Sequence, residues 1–140
     1  MLRILLVTTR REAIHPFIDG LTSDPEVHLD LATSGVEALG AVRTGSLHLV
    51  IIDYELPDMG ALSLVLELLM VNAMVNTAVV SPLSDQELHD ASEGLGVLAR
   101  LPLIPGKDEA GELLRKLRRI LIGSTSDVRT KSANWLQQSP

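Results

Sequence analysis

The sequence of 140 residues contains no cysteine, which removes disulfides, thiolate catalysis and sulfur-rich metal sites together and fits a reducing compartment. Aromatic residues are nearly absent, at one Trp, one Tyr and one Phe, so there are few rings on which a flavin or a base could stack. Positive charge is in deficit: 12 Lys and Arg face 18 Asp and Glu, a net charge of −6. Such a chain has no general attraction to phosphate backbones or anionic lipid, and direct nucleic-acid binding is not expected of it. The four histidines, His15, His28, His48 and His89, fall on different segments without metal-ligand spacing. A glycine-rich phosphate loop is also missing. The apolar run at the amino terminus ends by Val7 and lacks a small-residue cleavage site, which argues against a signal peptide. From Ala61 to Val80 the chain is long and apolar enough to invite a membrane reading, but Glu67, Asn72 and Asn76 would then sit in hydrocarbon. No membrane span is expected, and the run reads as a helix followed by a strand.

What is present suits one packed domain, with 46% apolar and 21% charged residues. Apolar runs at Arg3 to Thr8, Val27 to Ala32, Leu47 to Ile52, Thr77 to Ser81 and Val97 to Leu103 predict five short strands. The third and fourth do not alternate, as expected of parallel strands covered on both faces. The stretches between them predict helices. Ser34 with Glu37, and Ser84 with Glu87, form capping boxes that start helices near Gly35 and Asp85. Thr9 and Glu12 form a third box, but Pro16 would interrupt that helix, so a late start or a kink is expected. A last helix from Asp108 to Ile122 puts Ala110, Leu113, Leu114, Leu117 and Leu121 on one face. Residues 1–122 thus form an α/β domain, a doubly wound five-stranded parallel sheet of the flavodoxin-like (βα)5 kind. Residues 123–140 read as a polar linker or carboxyl-terminal tail, with an isolated Trp135.

Ligand chemistry in such a sheet gathers beyond the carboxyl ends of the strands. Three of those ends carry polar groups: Thr8-Thr9-Arg10, Asp53 and Ser81. Asp53 follows the strand Leu49-Val50-Ile51-Ile52 and precedes Tyr54-Glu55-Leu56-Pro57-Asp58-Met59. With Ser81 and the order of the ten elements, this segment resembles the phosphoacceptor region of response-regulator (CheY-like) receiver domains, over about Arg3 to Ile122. The resemblance implies that Asp53 corresponds to the phosphoacceptor aspartate and Ser81 to the hydroxyl residue that senses the phosphoryl group. It implies a cytoplasmic protein of two-component or phosphorelay signalling, non-enzymatic, whose partner is a histidine kinase or a fused output domain.

Several parts of the family's pattern are missing. Where receivers carry an acidic pair that helps to hold Mg²⁺, this chain has Thr8 and Thr9 followed by Arg10 and Arg11. No cofactor is therefore expected beyond weak Mg²⁺ binding, with Glu12 and Glu55 displaced from the family's ligand positions. The family's lysine after the fifth strand falls at Leu103 or Ile104, and Lys107 lies beyond Pro105. The fifth strand has no aromatic residue to serve as a rotamer switch. Two readings of Asp53 stand open. It is a loop carboxylate that caps N–H groups or pairs with Arg10, in a pseudo-receiver, or it still accepts a phosphoryl group with Arg10 or Arg11 supplying charge. A remote third reading is a small nucleotide- or flavin-binding protein, with a phosphate at Thr8, Thr9 and Arg10. Finally, 11 of the 14 residues from Leu62 to Val75 are apolar, more than an amphipathic helix needs. Met70, Val71 and Met74 are expected on its outer side, with Leu66 and Leu69 toward the core, as a surface for a protein partner or a homodimer.

Overall fold

A computed structural model describes residues 1–126, so Trp135 and most of the expected tail lie outside the described residues. Five strands, β1 (Leu2–Val7), β2 (Val27–Ala32), β3 (Leu49–Ile52), β4 (Asn76–Val80) and β5 (Val97–Leu101), alternate with five helices. These are α1 (His15–Thr22), α2 (Gly35–Thr44), α3 (Ala61–Val71), α4 (Asp85–Ala91) and α5 (Lys107–Ser126). All pairings are parallel, in the order β2-β1-β3-β4-β5. Every residue of β3 is buried, and the strand period of two divides it between the two faces. Leu49 and Ile51 pack with Ile4, Leu6, Phe17, Leu21 and Leu117 under α1 and α5. Val50 and Ile52 pack with Leu5, Val7, Leu39, Leu64 and Leu68 under α2 and α3. Burial on both faces is why an alternating pattern is absent from β3.

Helix α1 starts late, as the proline requires. Its first residue is His15, so Pro16 falls where a backbone N–H would have no intrahelical partner. Its N-cap, Ile14, gives no side-chain bond, and the expected box of Thr9 and Glu12 does not start the helix. The box of Ser84 and Glu87 is complete. At α2 only half of the expected box forms: Ser34 Oγ accepts from the Glu37 N–H, while Glu37 reaches one residue further back to the Thr33 N–H. Helix α5 runs to Ser126, past the expected end at Ile122. It crosses α1 so closely at Gly20 that a Cβ there would stand 2.8 Å from that of Ala110. The run from Ala61 to Val80 is divided between α3 and β4, and no helix among the described residues is long and apolar enough to cross a membrane.

Candidate functional site

The parallel register sets the carboxyl ends of β1, β3 and β4 side by side, with Val7 opposite Ile52 and Ile52 opposite Val79. Thr8, Asp53 and Ser81 each follow the last residue of a strand, and each continues the ladder by one backbone bond. The Thr8 N–H donates to Ala32 O, the Asp53 N–H to Val7 O and the Ser81 N–H to Leu101 O. All three residues are buried, and Asp53 is 0% exposed.

A carboxylate cut off from water needs partners for its lone pairs, and Asp53 has four. Oδ2 accepts from Thr8 Oγ1 at 2.7 Å and from Arg10 Nε at 2.9 Å. Oδ1 accepts from Arg10 Nη2 at 2.7 Å and from the Tyr54 N–H at 2.8 Å. The two Arg10 bonds make a bidentate ion pair, the strongest geometry open to a guanidinium and a carboxylate. Arg10 is itself held. Its N–H donates to Thr8 Oγ1, Nη2 also donates to Leu103 O at 2.9 Å, and its guanidinium carbon lies 4.8 Å from the centre of the Tyr54 ring. The hydrogen bond to Asp53 holds the guanidinium pKa above its ordinary value, against the opposing effect of burial.

The remaining sequence-predicted residues do not join this cluster. Thr9 and Glu55 are exposed, and Glu55 sits in an isolated antiparallel bridge with Gly60. Ser81 Oγ accepts from the Leu83 N–H, a local turn at the start of the β4–α4 connection. Lys107 is exposed at the first residue of α5. On β5, Arg100 reaches back to Ser81 O and pairs with Asp85.

The resemblance to receiver domains implies a divalent cation beside the aspartate, and the residues present do not fit one. Both Asp53 oxygens are taken by protein donors. Among the described residues, no group of three or more His, Cys, Asp or Glu side chains is placed to share a metal. A cavity over the β1–α1 turn is lined by Thr8, Thr9, Arg10, Arg11, Ala13 and Thr33, with Glu12 as its one carboxylate.

Sequence reasoning missed Asp58. In the segment after β3 it reads as a loop acid, but Oδ1 accepts from the Gly35 N–H at 2.9 Å and Oδ2 from the Val36 N–H at 3.0 Å. It therefore caps α2, 23 positions upstream in the chain. These bonds, that from Gly35 first, hold the Asp58 carboxyl below the usual carboxylate range. A depressed carboxyl stabilises the fold above its unfolded pKa and loses that contribution as pH falls through the folded one. Asp58→Asn is thus expected to unfold at a lower urea concentration than wild type at pH 7. The gap should close only below the ordinary carboxylate range, which paired urea titrations at falling pH would check.

The apolar surface of α3 is partly as expected. Met70 is 80% and Met74 86% exposed, and Val71 is exposed at 37%. The expected core position of Leu66 is wrong: it is 51% exposed, and the buried face consists of Leu64, Val65 and Leu68 with Leu69 partly buried. The helix also ends at Val71, which puts Met74 in the turn before β4.

The sequence matches no protein-family model and no curated protein. Solved structures do match. The signal receiver domain of an HD domain-containing protein from Pseudomonas fluorescens Pf-5 is 19% identical, with a TM-score of 0.75 over 89% of this chain and 92% of that one. A CheY-like receiver domain protein from Methanospirillum hungatei JF-1, also 19% identical, has a TM-score of 0.74 over 91% of this chain and 98% of the other. The response regulator TrrA from Thermotoga maritima, solved in complex with Mg²⁺-BeF, is 24% identical, with a TM-score of 0.66 over 84% of this chain and 99% of that one. The fold of this chain is that of the CheY-like response-regulator receiver domains.

Proposed function

We propose that this domain is an atypical receiver that serves two-component or phosphorelay signalling in the cytoplasm by protein contact, with Mg²⁺-dependent phosphorylation impaired. The observation that carries this reading is the saturation of Asp53. Its four hydrogen bonds leave no lone pair directed at an incoming phosphorus, and two of them come from a guanidinium standing beside it. A carboxylate nucleophile needs a free oxygen and a counter-charge that can move onto the phosphoryl oxygens, and here the counter-charge is bound to the nucleophile itself. Loss of the acidic pair at Thr8 and Thr9 acts in the same direction. Partners of the expected kind are a histidine kinase or an output domain, with a homodimer as the alternative. The exposed side chains Leu66, Met70, Val71 and Met74 offer the contact surface. No catalytic role, cofactor or direct nucleic-acid binding is assigned.

A second reading keeps Asp53 as a working phosphoacceptor. It is favoured by the position of Asp53 at the end of β3, with Ser81 at the end of the adjacent β4, in a fold whose Thermotoga maritima representative forms a Mg²⁺-BeF complex. It requires Arg10 to leave Asp53. Beryllofluoride with Mg²⁺ separates the two. On the first reading, the amide spectrum of the full chain is expected to stay largely unchanged by NMR. Shifts spreading from Asp53 into α4 and β5 would overturn it in favour of the second.

A further inference from the structure

We propose that the open edge of β2 is an interface on which a second copy of this chain adds its own β2, antiparallel, about a two-fold axis at Leu29. The inference is independent of the reading of Asp53 and of the surface on α3.

Strand β2 ends the sheet and has β1 as its one neighbour. The Leu2 N–H donates to Glu26 O and the Thr8 N–H to Ala32 O, so the even-numbered residues of this segment turn their backbone groups to β1. Alternation along the strand then sends the N–H and C=O of Leu29 and Leu31, and the C=O of Val27, to the open side. Among the described residues no backbone bond reaches these groups, and only the Val27 N–H is taken, by Asp24 O in the preceding turn. An open edge is a template for another strand, and chains that avoid pairing guard it with proline, a bulge or lysine. Residues 27–32 have none of these, and their register with β1 is unbroken.

The side chains select the partner and the register. Val27 and Leu29 pack into the core under α1 and α5, and Leu31 on the same side is 39% exposed. His28 and Asp30 point to the other side of the sheet, half exposed, with Nε2 and Oδ1 3.3 Å apart. A two-fold axis at Leu29 sets Leu29 opposite its own copy, joined by two N–H···O bonds. Val27 then faces Leu31 of the second copy, and His28 faces Asp30 of the second copy. The His28–Asp30 contacts fall at non-hydrogen-bonded pairs, where Cα atoms stand about 4.5 Å apart and side chains meet most closely. An imidazole N–H donor thus meets a carboxylate twice, once on each side of the axis. Centring the axis on His28 or on Asp30 would set like groups opposite one another. A shift by one residue would set outward-facing residues of one copy against inward-facing residues of the other. The strand is therefore self-complementary in one register, as an isologous two-fold contact requires.

The test is sedimentation of the full chain over a range of concentrations, with circular dichroism to follow the fold. Wild type is expected to dimerise reversibly. His28→Asp, which sets carboxylates face to face at both pairs, should raise the dissociation constant at least about tenfold. Adding Asp30→Lys to it should restore the dimer, since opposite charges then face each other again. Because the chain has no cysteine, each of His28→Cys and Asp30→Cys carries a single thiol. Their mixture is expected to form a disulfide between the two variants under mild oxidation. Neither variant alone should cross-link, since its two Cα atoms would lie more than about 7 Å apart in the dimer. Wild type that is monomeric at about 1 mM overturns the inference. So does a dimer that ignores His28→Asp, and its loss in Met70→Glu would place the contact on α3 instead. Cross-linking of either variant alone as fast as of the mixture also overturns it, by excluding an axis at Leu29.

Discussion

Arg10→Ala is expected to lower the stability of the domain by about 3 kcal/mol, near the lower end of the range for breaking a buried ion pair. The lower end applies because the Arg10 side chain keeps 23% of its surface open to solvent, whereas that of Asp53 keeps none. The same asymmetry makes the two single variants unequal. Without Arg10, Asp53 keeps the Thr8 hydroxyl and the Tyr54 N–H but remains a buried charge without its cation. In Asp53→Ala the Arg10 side chain can turn its head to water, and the cost falls to that of unmade hydrogen bonds, about 1–3 kcal/mol. The pair replaced together, as Arg10→Met with Asp53→Leu, should be more stable than Arg10→Ala, since apolar side chains of similar volume carry no desolvation penalty. Urea denaturation of wild type and these three variants in metal-free buffer measures this. Equal losses in the two single variants, or a double variant no more stable than Arg10→Ala, would mean that the pair is a surface contact of little weight.

The second large effect separates the two sides of α3. Leu68→Glu is expected to unfold the domain, because Leu68 is fully buried among Leu5, Val50, Ile52 and Leu64 and a carboxylate there would have no partner. Even Leu68→Ala should cost about 2–5 kcal/mol through lost burial and the cavity left behind. Leu66→Glu, Met70→Glu and Met74→Glu should each change stability by about 0.5 kcal/mol or less, the usual range for surface positions. Any dimer or partner complex built on these side chains should weaken in the same variants. Circular dichroism reads the first outcome and sedimentation the second. Loss of fold in the Leu66 or Met70 variant would show that this face is covered.

The five strands, the helix starts at Gly35 and Asp85 and the late start of α1 were legible in the sequence because each depends on neighbours within a few residues. A capping hydroxyl, a proline ring and a run of Leu, Ile and Val act locally. Asp53 and Ser81 were legible as strand-end residues for the same reason, since a parallel sheet sends the end of each strand to one edge. The partner of Asp53 was not. Arg10 had two uses open to it, as the mate of Asp53 or as a charge for an incoming phosphoryl group, and only the fold closes the 43 positions between them. The bond to Leu103 O spans 93 positions and involves a carbonyl that every residue possesses, so it left no trace in composition. Asp58 as a cap for α2 was hidden by the same kind of separation. The error at Leu66 has a different origin. With apolar residues on nearly all sides of α3, periodicity cannot say which side faces the sheet, and that choice was made by the packing of Leu64, Val65 and Leu68 into one core cluster with Val50, Ile52 and Val79. Local chemistry in the chain therefore determined the elements and the edge where a site forms, while the tertiary structure decided which groups at that edge neutralise one another, because charge pairing depends on distance in space.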